Sequence, residues 1–244
     1  MKEFWDAMMA ALEGKGVEII VGVIFLAITT FCAFMWKKIK NIGIFKYRKA
    51  RKRVAEAGMV TFYYNRKVLQ SDAGTIGDYI ATAKKNVLHV GFWLSSSLTA
   101  QNLEKAVVDA INRGVTLEFC VLSPDSPLID HYTKFFDTGK ENILSSINNT
   151  LSKLVAIKNS LSADKQRNFK LYTHSEIVTA SFWVIDRDDP DNCMVQIDHK
   201  IISNPRYSSY GMEIKPSTDR KEFAESFIEG YTKVLLRATE YNVN

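Results

Sequence analysis

Residues 86–94 and 115–122 are two continuous apolar runs, and between them Leu103, Ala106, Val107, Ala110 and Ile111 recur at helical spacing. Each run is too short for a typical helix, rich in β-forming residues and bounded by polar ones, so each predicts a buried strand. Arg113-Gly114 gives the helix its stop before the second strand begins. Strand, helix and strand in that order need a crossover, and crossovers join strands that run parallel. An α/β fold around a mixed, at least partly parallel sheet flanked by helices is the expectation.

The flanking sequence extends that pattern. Residues 58–64 read as a short strand, and Ile76, Tyr79, Ile80 and Ala83 share one face of a helix over 75–85. After Ser123-Pro-Asp-Ser-Pro127 come a short helix through Tyr132 and Phe136 and a longer one over 141–161, striped by Ile143, Ile147, Leu151, Leu154 and Ile157. Four strands follow at 169–173, 180–185, 194–202 and 210–214, the middle pair separated by the turn Asp188-Asp-Pro-Asp-Asn192. The last helix spans 219–240, with Asp219 and Glu222 resembling a capping box. No internal repeat is present.

Residues 17–36 form a third apolar run, about the length a bilayer core needs, with Glu18 at its edge. They predict one transmembrane helix ahead of the domain. Trp36 and then Lys37, Lys38 and Lys40 supply an interfacial aromatic and a cationic stop. A cleaved signal peptide fits less well, because Glu3, Asp6 and Glu13 make the start acidic and the positive charge follows the apolar run. The expected organisation is a short N-terminal segment over 1–16, the span over 17–36, a basic juxtamembrane linker over 37–57 and a domain over 58–244. The expected location is the inner membrane, single-pass, with the N-terminus outside and the domain in the cytoplasm.

Net charge of +5 would suggest nucleic acid were it spread over the domain. Nine basic residues between Lys37 and Arg53, with no acid among them, more than account for it. The remainder is slightly acidic, so the expected partners are the bilayer through 17–36 and anionic lipid through 37–53, and nucleic acid is not expected. Cys32, Cys120 and Cys193 share no metal-like spacing, so neither a disulfide framework nor a metal is predicted. No cofactor motif occurs. His89 in an apolar strand reads as a satisfied core histidine, His131 as a surface residue, and Trp93 and Trp183 as core.

Three segments together resemble the phospholipase D-like superfamily: residues 80–94, residues 110–125, and Phe169-Lys-Leu-Tyr-Thr-His174 followed by Ala180-Ser-Phe-Trp-Val-Ile-Asp186. Active members of that family carry His-x-Lys-x-x-x-x-Asp, in which His is the phosphoryl-accepting nucleophile, Lys holds phosphate oxygens and Asp supports the site, with two copies meeting across a pseudo-dyad. Aligned on Asp186, the histidine position holds Thr179 and the lysine position Ser181. Neither can do the family's chemistry: threonine has no nitrogen to attack phosphorus, and serine has no charge to stabilise the oxyanions. One half-domain is present, so the resemblance also implies a homodimer or higher oligomer.

The substitutes within reach in sequence are His174, His199 and Asp186 as catalytic candidates. Lys200, Arg206, Ser208 and Glu213 are candidates for a phosphate-containing ligand, with Asp198-His-Lys200 forming a polar cluster on neighbouring strands. The reading that follows is a membrane-anchored pseudoenzyme that senses a ligand or partner, as a signalling or effector protein in bacterial stress response or antiviral defence. Its rival is a membrane-bound phosphodiesterase, phospholipase or nuclease, working through a relocated histidine.

Overall fold

The computed structural model describes residues 2–12, 16–40, 43–64, 68, 74–94, 102–189, 191–201, 210–216 and 221–241, with the side chains of 11–21 and 37–47 outside that description. It divides into two compact units, Met1–Arg53 and Val54–Asn244.

The first unit holds α1 (Lys2–Leu12), α2 (Gly16–Lys40) and most of α3 (Gly43–Glu56). Val23, Phe25, Phe31, Phe34 and Trp36 of α2 are exposed. Among the described residues no helix is long and apolar enough to cross a membrane, which overturns the predicted span over 17–36 and the single-pass inner-membrane location built on it.

The second unit runs β1 (Met59–Tyr63), α4 (Ile76–Ala81), β2 (Asn86–Gly91), α5 (Leu103–Asn112), β3 (Thr116–Leu122), α6 (Ile129–Phe136), α7 (Lys140–Ser160), α8 (Ala163–Gln166), β4 (Phe169–His174), β5 (Ala180–Ile185), β6 (Met194–His199), β7 (Gly211–Ile214), α9 (Glu222–Leu236) and β8 (Thr239–Glu240). The strands make one mixed sheet in the order β1-β7-β6-β5-β2-β3-β4-β8. β2, β3 and β4 are parallel, with Asn86 opposite Thr116 and Leu117 opposite Phe169. The other pairings are antiparallel. The crossover predicted from the two apolar runs is therefore the β2-α5-β3 unit, and α5 hands over to β3 through Gly114 at φ 93°, a left-handed turn that favours glycine.

The central strands read as unbroken apolar runs because both faces of the sheet are covered. On one face Val87, Leu117, Phe119, Phe169, Leu171 and Ile185 pack with the helices α4 to α7. On the other, Leu88, Val90, Phe182, Val184, Val195 and Ile197 pack with α9, where Tyr231 stacks on Phe182 at 4.3 Å. Each such side chain stabilises the fold by roughly 1.5–3 kcal/mol through burial.

Several boundaries differ from the sequence reading. β2 ends at Gly91, and Phe92 and Leu94 leave the strand while staying in the core. α9 stops at Leu236, and the chain turns to add β8 beside β4, a two-residue edge strand that carries no alternating pattern to announce it. The capping box expected at Asp219 falls partly outside the described residues; a complete one occurs instead at α4, where the Thr75 hydroxyl accepts from the Asp78 N–H and Asp78 accepts from the Thr75 N–H.

Candidate functional site

β5 begins where the family motif would lie. Thr179 is exposed just before the strand, and Ser181 is half-buried one step into it, opposite Asp198 on β6. Asp186 stands at the far end of β5, roughly 16 Å from Ser181 at the rise of an extended strand. It is buried at φ 50°, and its carboxylate accepts backbone N–H bonds from Lys84 (3.0 and 3.1 Å), Lys85 (2.7 Å) and Asn86 (3.1 Å). Asp186 thus ties the β5–β6 turn to the start of β2, away from the other motif positions.

At the near end, β6 closes on Thr179. The Lys200 N–H donates to the Thr179 carbonyl at 3.0 Å, and the Lys200 ammonium is ion-paired with the Asp198 carboxylate. Both side chains are largely covered.

β2 lies on the opposite side of β5 and brings His89 and Gly91 to the same face as Ser181. His89 is wholly buried, its ring 4.2 Å from that of Trp183. Its Nδ1 lies 3.1 Å from the Phe182 carbonyl, which can only accept, so Nδ1 carries the proton and Nε2 the lone pair. Nε2 has no partner among the described residues. Burial holds the imidazole neutral, with its pKa lowered to about 3, and His174 and Lys200 push in the same direction. The sequence reading of a satisfied core histidine is therefore half met. Gly91 explains the close approach: a Cβ there would stand 3.1 Å from His89 Cε1 and from Ser181 Oγ, and 3.2 Å from His89 Nε2.

His174 closes β4 with both ring nitrogens committed. Nε2 donates to the Gly91 carbonyl at 3.0 Å, and Nδ1 accepts the Glu176 N–H at 3.2 Å. Burial lowers its pKa. His199 alternates with Asp198 along β6 and so points to the other face, where it stacks on Tyr210 at 4.8 Å. Its pKa is lowered as well, by burial first.

Glu213 on β7 sits opposite Gln196, two positions along β6 from Asp198 and so on the same face. Tyr63 Oη donates to it at 3.0 Å and Gln196 Nε2 at 3.3 Å. Above it the Tyr79 hydroxyl is buried without a hydrogen-bond partner among the described residues, its pKa raised by burial and then by Glu213. One face of the sheet therefore carries a seam of polar groups, with His89, Asp198, Gln196 and Glu213 buried and Ser181 half-buried among them. Arg206 and Ser208 lie outside the described residues. Among the described residues no three His, Cys, Asp or Glu side chains could hold a metal ion together.

His89, Gly91, Gln196, Tyr63 and Tyr79 were not among the predicted site residues. A histidine inside an otherwise apolar strand was the one signal in the sequence that could have found the first of them.

No family model and no curated protein matches the chain. Solved structures resemble it in part. TrmBL2, an archaeal chromatin protein with a novel mode of DNA binding, matches at TM-score 0.47 and 14% identity over 88% of this chain and 70% of its own. Nuc from Salmonella typhimurium, a phospholipase D family member, matches at 0.42 and 17% over 69% and 89%. NucT from Helicobacter pylori matches at 0.44 and 12% over 74% and 98%. With every score below 0.5, the fold rests on the strand order given above and not on these likenesses.

Proposed function

We propose that the second unit is a phospholipase D-like domain that binds a ligand or partner without hydrolysing phosphodiesters, a pseudoenzyme serving as a sensing or signalling module. The observation that carries this is the state of the motif end of β5. Thr179 and Ser181 hold no nucleophilic nitrogen or positive charge, Lys200 is paired with Asp198, and His174 has both ring nitrogens in backbone hydrogen bonds. The described seam sets two carboxylates, Asp198 and Glu213, against one ammonium, Lys200. Such a balance suits a ligand rich in hydrogen-bond donors better than the phosphate-containing one read from Lys200, Arg206, Ser208 and Glu213. Ligand-dependent self-association would give the module its output.

The test is turnover by the full chain of bis(p-nitrophenyl) phosphate, single-stranded DNA and phosphatidylcholine. No product above the buffer rate is expected. Hydrolysis that disappears in His174→Ala or His199→Ala would sink the proposal.

A second reading, a phosphodiesterase with a relocated histidine, is favoured by His89. Its Nδ1–H is fixed on a carbonyl, its Nε2 lone pair is unused among the described residues, and Lys200 is within electrostatic reach. Turnover lost in His89→Gln and kept in both His174→Ala and His199→Ala would install that reading in place of the first.

A further inference from the structure

The first unit carries two kinds of exposed surface that water serves poorly together. On α2, Val23, Ile24, Phe25, Leu26, Ile28, Phe31, Phe34 and Trp36 are exposed over successive turns. A continuous apolar surface of this kind on a folded chain marks a contact with something else. On α3, Arg48, Lys49, Arg51 and Arg53 are exposed with no acid between them.

Three occupants differ in what they can satisfy. A nucleic acid would neutralise the α3 cations and leave the α2 side chains in water. A second copy would cover apolar surface and bring an identical set of cations with it. A lipid surface with anionic headgroups meets both demands, taking apolar side chains below the headgroups and cations among them. Trp36 adds to the match, because it closes the apolar stretch just before the basic one begins, and an indole prefers the boundary between apolar and polar surroundings.

We propose that this N-terminal unit seats on an anionic lipid surface, with the apolar side chains of α2 and the cations Arg48, Lys49, Arg51 and Arg53 as the two halves of one contact. Seating on a surface asks for no helix that crosses it.

Flotation of the full chain with vesicles tests it, using phosphatidylcholine alone and phosphatidylcholine mixed with phosphatidylglycerol. The expected result is a preference for the anionic vesicles that weakens as salt is added. In the combined variant Arg48→Gln, Lys49→Gln, Arg51→Gln, Arg53→Gln the partition onto anionic vesicles should drop about a hundredfold or more, while binding to neutral vesicles stays the same. A circular dichroism spectrum matching that of the unmodified chain would show that the variant is folded; the single change Arg51→Gln, expected to lose about fivefold, gives the same readout with less perturbation. Equal partition onto neutral and anionic vesicles, or no loss in either variant, would overturn the proposal. So would duplex DNA binding abolished by the same substitutions without any vesicle binding.

Discussion

The Asp186 carboxylate accepts the Lys85 backbone N–H at 2.7 Å, across 101 positions of sequence, and so fixes the turn after β5 to the entry of the central strand β2. Asp186 is therefore placed to hold the fold together.

Asp186→Ala should cost stability. The substitution strands three consecutive, partly covered N–H donors, from Lys84, Lys85 and Asn86, and puts a side chain with no local hydrogen bond at φ 50°. A loss of about 3–5 kcal/mol is expected in urea unfolding. Asp186→Asn, which keeps one acceptor and tolerates the left-handed backbone, should recover roughly half of it. Unchanged stability in Asp186→Ala would show that the carboxylate does not brace the turn.

The buried histidine gives the fold a pH dependence whose sign follows from its lowered pKa. The folded state holds His89 neutral, with a pKa of about 3 against an ordinary value of 6.5. Between those values the unfolded chain binds more protons, so stability is full above about pH 6.5 and declines as pH falls toward 3, by up to about 1.4 kcal/mol per pH unit. His174, also lowered by burial, adds to the same acid side. Denaturant midpoints measured from pH 7 down to pH 4 should fall for the unmodified chain and fall less for His89→Gln. Equal slopes in the two would mean that His89 is not held neutral by the fold.

What the sequence disclosed follows from how locally each feature is encoded. The β2-α5-β3 crossover was legible because burial on both faces writes an uninterrupted apolar run, and Gly114 marks the turn between its helix and strand. The helix over 17–36 was legible as a helix, yet apolarity and length read from letters placed it across a bilayer, which the described structure does not bear out. The site was legible only in part. Ser181, Asp198 and Lys200 meet because β5 and β6 are a hairpin, a local relationship that sequence spacing conveys. The approach of His89 to Ser181 depends on β2 lying antiparallel to β5, a pairing across more than 90 positions that no local pattern announces. The same holds for Asp186, whose role is decided by backbone donors about a hundred residues away.

Tyr63 and Glu213 offer the last check, because they join the first strand of the sheet to the polar seam. The Tyr63 hydroxyl donates to a carboxylate that is itself buried, at 3.0 Å, across 150 positions of sequence. Removing the hydroxyl leaves a buried carboxylate with one donor fewer, and a hydrogen bond to a charged group is worth about 1.5–3 kcal/mol. Tyr63→Phe should therefore destabilise by that amount in chemical denaturation. Glu213→Gln should cost less, because the amide still accepts from the phenol. In the double variant Tyr63→Phe, Glu213→Gln the two losses should not add, since the shared bond can be lost only once, and the coupling measured by the cycle should be about 1 kcal/mol or more. Strict additivity would mean that β1 is held to β7 by its backbone ladder alone, with the phenol–carboxylate bond contributing nothing.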